Sequence, residues 1–255
     1  MDGSFQPFID ESDIETLKAQ HEETLSRAMR RAKARERRAW ARGLLDGTLA
    51  QMGPDCVALD CGANVGEVTQ PLADTGAMVY AFEPDPVAFA ALSERMAGYD
   101  NVQLVNAAVG ETAGTATLHR SVRFDEDPLA ATVSSTLMAG KRDADAEDPN
   151  GVAVAVLSLP DILSDVVQGR VPRALPRLPG QRRGTGRCAL LKIDIEGGEL
   201  SLLPALHDAD LLQHVSCTLV ETHQRKFPAL RRDFLQMRRE IGGLYPSRKV
   251  NLDWI

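Results

Sequence analysis

Apolar and polar positions follow two alternating rhythms along this chain. Between Cys56 and Gly110, short continuous apolar runs at residues 57–59, 79–82 and 102–105 are separated by stretches of helical spacing, one after Gly66 and one over 86–96. Continuous apolar runs separated by helices predict parallel strands buried on both faces, and their repetition predicts a doubly wound α/β sheet. After Gly110 the rhythm pauses. "GTATLHRS" predicts a short strand, and residues 124–151 are rich in Asp, Ala, Ser and Gly without a clear period. "VAVAVLSLPDIL" then predicts a strand followed by a helix that Pro160 can start. The sheet pattern resumes with a strand over 188–195, a helix through "GELSLLPALHDADLL", a strand over 215–220 and a helix over 229–241. The tail "KVNLDWI" predicts an edge strand.

The first fifty residues have a different pattern and predict one long helix or two shorter ones. Acids come early (Asp10, Glu11, Asp13, Glu15) and bases late (Arg30, Arg31, Lys33, Arg35, Arg37, Arg38, Arg42), which suits a helix macrodipole. Leu17, Leu25, Trp40 and Leu44 form the expected packing face, with a basic face for an anionic partner as the alternative. Gly53-Pro54 closes this region. The expected organisation is therefore a helical extension, 1–54, and a main domain, 55–255, with irregular insertions at about 124–151 and 169–187. The second insertion, "GRVPRALPRLPGQRRGTGR", carries three prolines and six arginines and predicts a loop with little to bury. Its arginines suit either phosphate recognition or plain solubility.

Composition narrows the function classes. A length of 255 residues with 44% hydrophobic and 25% charged residues fits one sizeable domain with extensions. A net charge of -7 gives no overall attraction for nucleic acid. No apolar run approaches the roughly 20 residues that span a bilayer, and the first thirty residues lack a signal-peptide profile, so a cytoplasmic location is the expectation. Cys56, Cys61, Cys188 and Cys217 form no CxxC pair and adjoin apolar runs, which predicts reduced core residues.

The candidate chemistry begins in "VALDCGANVGEVTQPLADTGAMVYAFEPDP". In an open α/β sheet, ligands bind at the carboxyl ends of the strands. Asp60, Gly62 and Gly66 fall at that end of the first strand and Glu83 at that end of the second. Glycine permits positive φ and close backbone approach, and Asn64 is among the few other residues tolerated there. The dinucleotide fingerprint would need glycine where Asp60 stands, and an acid there repels a pyrophosphate. A cationic ligand with a ribose fits better. S-adenosylmethionine brings an ammonium and a sulfonium to the turn, and ribose hydroxyls to Glu83.

"DCGANVG" resembles motif I of the class I S-adenosylmethionine-dependent methyltransferases, with Asn64 in place of a glycine common in that motif. Together, "LDCGANVG", "AFEPDP", "NAAVG", "SSTL", "VAVLSLPDIL" and "LLKIDIEGGE" are similar to the FkbM methyltransferase family over about residues 55–225. The resemblance implies a Rossmann-like sheet of seven mostly parallel strands, the last antiparallel, and methyl transfer, typically to a hydroxyl of a sugar or natural product. It implies that Asp60, Gly62, Ala63, Asn64 and Gly66 form the methionine-side loop and that Thr69 begins the next helix. Glu83 would hold the ribose, and Asn106 and Ala107 would lie beside the adenine. Asp194 and Glu196 would face the methyl group, with Ser134, Ser135 and Thr136 near the substrate.

A hydroxyl is a poor nucleophile and needs a proton acceptor or a metal. Asp194, at the end of a buried strand, is the first candidate for base, with capping of the next helix as a compatible structural role. His223 in "LVETHQ" is the catalytic alternative and His119 a weaker one. Asp194, Glu196 and Glu221 could collect a divalent cation, but the Asp-Asn pair that some O-methyltransferases carry after the fifth strand is missing, so no metal is expected. Lys192 alternates with Asp194 and serves either a salt bridge or the substrate. The expected partner is a small-molecule or carbohydrate hydroxyl acceptor, with no nucleic acid and no membrane span. An NAD- or nucleotide-sugar-dependent oxidoreductase and a non-catalytic cofactor-binding module remain as alternatives.

Overall fold

A computed structural model describes residues 11–120, 124, 126–132, 135–138, 151–177 and 186–254. The chain divides into two compact units, Met1–Trp40 and Ala41–Ile255. The boundary falls inside the first helix rather than at Gly53-Pro54. That helix, α1 (Glu11–Leu49), is one continuous segment with no basic residue in its last turn. The late bases therefore lie too far from the carboxyl end to answer its dipole, which acts only within the terminal turn. Leu25 and Trp40 are exposed, 54% and 53%. The packing face of the second unit's helical turns is instead Ala41 and Leu45, with Leu44 partly buried against the same cluster.

The second unit is an α/β sheet built as the apolar runs require. Its strands are β1 (Val57–Cys61), β2 (Met78–Phe82), β3 (Val102–Val105), β4 (Ala108–Gly110), β5 (Gly114–Leu118), β6 (Val152–Ser158), β7 (Cys188–Ile193), β8 (Val215–Val220) and β9 (Val250–Asn251). The helices are α2 (Thr69–Asp74), α3 (Pro86–Arg95), α4 (Pro128–Ala131), α5 (Leu159–Val167), α6 (Glu199–Asp208) and α7 (Arg231–Leu244). The main sheet runs β3-β2-β1-β7-β8-β9, with the order reversing beside β1. Every registered pair in it is parallel. Among the described residues it has six strands, one fewer than expected, and the edge strand formed by the tail runs parallel. The reason is local: α7 lies between β8 and β9, and a helical crossover returns the chain in the same direction.

Burial follows the pattern. Each residue of β1 and β7 is buried, as continuous apolar strands covered on both faces must be. In α5, Leu159, Ile162, Leu163 and Val166 recur at helical spacing and are buried, while Ser158 caps the helix by accepting from Asp161 N–H and Pro160 occupies the first turn. Each such leucine or isoleucine contributes about 1.5–3 kcal/mol by leaving water. The four cysteines are reduced and buried.

A second, three-stranded sheet has the order β4-β6-β5, with β4 parallel and β5 antiparallel to β6. It is joined to the main edge by a buried ion pair. Asp85 caps α3 by accepting from Val87 N–H, and both its oxygens also accept from the Arg120 guanidinium, at 3.0 and 3.1 Å. The arginine-proline segment is not wholly a free loop. Val171 and Leu175 are buried, Gln103 donates to the Pro176 carbonyl, and Arg170 and Arg173 bind Asp165. Residues 178–185 and 139–150 lie outside the described residues. Among the described residues no helix is long and apolar enough to cross a membrane.

Candidate active site

The site grows out of strand register. Cys61 pairs with Phe82 and Ile193, and Ile193 with Val220, so the next residues, Gly62, Glu83, Asp194 and Glu221, emerge level with one another. The hydrogen-bond ladder continues through them: Glu83 N–H donates to Val105, Asp194 N–H to Cys61 and Glu221 N–H to Ile193. Strands stand about 4.8 Å apart, so the edge from β2 across β1 and β7 to β8 covers roughly 14 Å.

A cavity of about 340 Å³ runs along this edge. Gly62, Asn64, Glu83, Asp194, Glu196, Glu221 and Lys226 supply its polar lining. Phe82, Ala108, Val109 and Leu118 supply an apolar wall. A second cavity of about 590 Å³ shares Gly62, Asn64 and Asp194 and extends past Ala63 to Arg42 and Trp254.

The turn after β1 is as tight as its glycine implied. Gly62 has φ 82°, and a Cβ there would lie 1.8 Å from the Asp194 carbonyl oxygen, so no side chain fits. Asn64 takes φ 47°, the left-handed conformation expected of it. Its N–H donates to Glu83 Oε2 at 2.8 Å, and Asp85 N–H donates to Glu83 Oε1 at 2.8 Å. Burial is the larger influence on Glu83 and outweighs these two hydrogen bonds, pushing its carboxyl up to about 7.

Asp60 departs from expectation. It is fully buried, accepts from Thr69 Oγ1 at 2.7 Å, and has Lys192 Nζ 3.2 Å from its other oxygen. Register explains this, because Asp60 and Lys192 are direct partners across β1 and β7 and share a face. Neither Asp60 nor Thr69 lines either cavity. Within the chain, the charge of Asp60 is answered by Lys192 on one oxygen and by the Thr69 hydroxyl on the other. Lys192 Nζ also donates to the Gly62 carbonyl, lies 3.6 Å from Asp194 Oδ2 and borders the second cavity, so it makes the internal ion pair while facing ligand space. Gly66 packs on Leu92 and Arg95 behind the turn. Asn106 is exposed and ties β3 to the Glu83 and Pro84 carbonyls, and Ala107 is buried; the cavity wall begins one residue later, at Ala108.

After β7, the chain makes a second sharp turn. Glu196 has φ 52° and Gly197 φ 114°, where a Cβ would meet the Phe227 ring at 2.7 Å. Glu199 is fully buried and accepts from Ile195 N–H, Gly197 N–H and His223 Nδ1. His223, its side chain 1% exposed, thus points Nε2 toward three carboxylates: Glu196 Oε1 at 3.4 Å, Glu221 Oε1 at 3.5 Å and Asp194 Oδ1 at 3.6 Å. None of these contacts meets hydrogen-bond geometry. Burial pulls the His223 ring down, but Glu196, Glu199 and Glu221 together outweigh it and push it up to about 12. Burial likewise raises Asp194 above the usual carboxylate range, against the pull of Lys192.

Thr136 and Ser135 do reach the site: Thr136 lines the cavity and donates to the Glu196 carbonyl, and Ser135 lies 3.4 Å from Asp85. Ser134 lies outside the described residues. His119 stands apart from the acidic cluster, paired through its backbone with Thr136. Sequence reasoning missed Glu199 and Lys226, as well as the apolar wall. The alternation in "GTATLHRS", which buries Leu118, was the available signal for part of that wall.

Fold and site define an open α/β protein with a ligand cavity at the topological switch point, acidic at β2 and again at β7 and β8. The chain matches the family described as Methyltransferase FkbM domain over residues 60–249, and it belongs to that family. It is similar to Methyltransferase sdnD of Sordaria araneosa, 29% identical over 68% of this chain and 69% of that protein. It is also similar to 31-O-demethyl-FK506 methyltransferase FkbM of Streptomyces tacrolimicus, 31% identical over 63% of each chain. A shorter match, 45% identical over 34% of this chain, is to Ribosomal RNA small subunit methyltransferase A of Moorella thermoacetica, of which it spans about a quarter, 26%.

Proposed function

We propose that this chain transfers a methyl group from S-adenosylmethionine to a hydroxyl of a carbohydrate or related small metabolite. One observation carries the reading: a single cavity joins a buried carboxylate at the end of β2 to an acidic cluster at the ends of β7 and β8. Two strand spacings, roughly 10 Å, separate Glu83 from Asp194 across the edge. An extended nucleoside with an amino-acid arm spans that distance. Its ribose hydroxyls donate to Glu83, its adenine lies on Phe82, Ala108, Val109 and Leu118, and its sulfonium reaches the Gly62 turn beside Asp194.

In the reaction the acceptor oxygen forms a bond to the methyl carbon as the bond from carbon to sulfur breaks. The sulfonium becomes a neutral thioether, and the hydroxyl proton passes to a base. Asp194 is that base: burial makes it a better proton acceptor than an ordinary carboxylate, and it borders both cavities. Holding oxygen and carbon in line contributes about 7–11 kcal/mol, and a positioned base about 100- to 10,000-fold. The name of the Streptomyces relative supports a hydroxyl acceptor, and the net charge of -7 disfavours nucleic acid.

Calorimetric titration with S-adenosylmethionine, with NAD as control, tests the cofactor. Selective micromolar binding is expected, and binding of NAD alone would point to an oxidoreductase. With an acceptor in hand, Asp194→Asn is expected to abolish turnover while cofactor binding persists. Wild-type rates in that variant would remove Asp194 as the base.

A further inference from the structure

The acidic cluster contains a histidine nitrogen whose surroundings call for a positive centre. Because His223 Nδ1 is bound to Glu199, the ring's second nitrogen alone faces the cluster. It is buried, lacks a hydrogen-bond partner, and is ringed by oxygens of Glu196, Glu221 and Asp194 at 3.4, 3.5 and 3.6 Å. A bare lone pair in that position repels all three. A single N–H would draw one oxygen in to about 2.8 Å. The near-equal separations match another occupant. Ligand atoms about 2.1 Å from a shared ion stand about 3.4 Å apart at tetrahedral angles and about 3.0 Å apart at octahedral ones.

Charge points the same way. Asp60, Asp194, Glu196, Glu199 and Glu221 gather around two ammonium groups, Lys192 and Lys226, and this ring. Negative charge stays in excess whichever state the ring adopts. Carboxylates offset by too few cations in a desolvated cluster favour a further cation.

We propose that Asp194, Glu196 and His223, with Glu221 alongside, bind a divalent first-row cation in the cavity at the ends of β7 and β8. The three first-named residues place a ligand atom each within 4.8 Å of the others. Glu199 orients the imidazole from behind, the carboxylate-histidine-metal arrangement that fixes a ring for coordination. Lys226 donates to Glu196 Oε1 at 2.5 Å and holds that carboxylate in place. Asp194, Glu196 and Glu221 line the open cavity, which provides an entry path. Three oxygens and one imidazole nitrogen suit manganese better than a thiolate-seeking or an all-oxygen-seeking ion. Resting on the methyl-transfer reading, the ion would bind the acceptor hydroxyl and lower its pKa, with Asp194 Oδ1 on the ion's side beside His223 and Oδ2 left to take the proton. Binding of the ion itself does not need that reading.

The test is titration of the full chain, stripped with a chelator, with Mn²⁺ followed by electron paramagnetic resonance. One bound ion per chain is expected, with a pulsed-resonance coupling to one imidazole nitrogen. His223→Ala is expected to erase that coupling and weaken binding at least tenfold. Glu196→Gln, which keeps the ring and nearly the same volume, is expected to weaken binding similarly. No binding, or binding unchanged in both variants, overturns the proposal. S-adenosylmethionine titrations on the same samples separate the two readings. Cofactor binding without Mn²⁺ binding rejects the metal site alone, and Mn²⁺ binding without cofactor binding rejects the cofactor alone.

Discussion

Glu83→Ala tests the cofactor assignment with a magnitude that can be worked from the structure. The carboxylate is 5% exposed and already accepts from two backbone N–H groups. Of its roughly four acceptor positions, about two remain for ribose hydroxyls. Hydrogen bonds to an ionised acceptor contribute about 1.5–3 kcal/mol each, so the gross loss is about 3–6 kcal/mol. Water entering the vacated space recovers part of this. The expected net loss is at least about 1.4 kcal/mol, or tenfold in affinity.

The pH dependence gives a second, independent signature of Glu83. Burial holds its carboxyl at about 7, and the unfolded group titrates near 4.5. Between those values the folded chain keeps a proton that the unfolded chain has lost. The group's contribution to stability is therefore present at low pH and is lost as pH rises through 7, by about 3 kcal/mol in all. Only the ionised form accepts two hydroxyls, so cofactor affinity moves oppositely, weakening as pH falls below 7. Calorimetry at pH 6, 7 and 8 on wild type and Glu83→Ala measures this directly, with circular dichroism checking that the variant is folded. The ratio of the two affinities is expected to grow with pH, because other titrating groups cancel in it. A constant ratio, or unchanged affinity in the variant, would refute the reasoning.

Two substitutions test the scaffold that carries the site. Gly62→Ala would place a methyl 1.8 Å from the Asp194 carbonyl at positive φ, so a loss of about 4 kcal/mol or failure to fold is expected; an unchanged melting temperature would show that the turn can open. Arg120→Ala would strand the fully buried Asp85, with an expected loss of about 3–5 kcal/mol in urea unfolding. Arg120→Lys is expected to lose less, since it keeps the charge without the two-pronged geometry, and equal losses would assign the effect to packing alone.

The local elements were legible because their causes are local. The runs at 102–105 and 215–220 coincide with β3 and β8, and Pro86 and Pro160 mark the first turns of α3 and α5, since period and start signals depend on neighbours in sequence. The acid-glycine turn was legible for the same reason: a positive φ favours glycine or asparagine wherever the chain goes next. The count of six strands in the main sheet and the parallel direction of its edge strand β9 were not legible, because strand count and direction depend on which segments pair. Nor was the burial of Val171 and Leu175, whose prolines and arginines look loop-like until the core reaches them.

What each acid does was decided only by tertiary structure. The sequence by itself determined that Asp60, Glu83, Asp194 and Glu221 stand at strand ends, and hence that the carboxyl edge of the sheet is acidic. It did not determine which of them meets a ligand. Register set Lys192 against Asp60 and removed that acid from the cavity, while Glu83 kept two accepting positions open. A lone histidine in "LVETHQ" became the centre of four carboxylates only because β7 and β8 are adjacent and Glu199 folds back beneath it. The physical reason is the range of the forces. Backbone preference and hydrophobic period act over a few residues, whereas the charge state and partners of a buried group depend on chain segments tens to more than a hundred residues away.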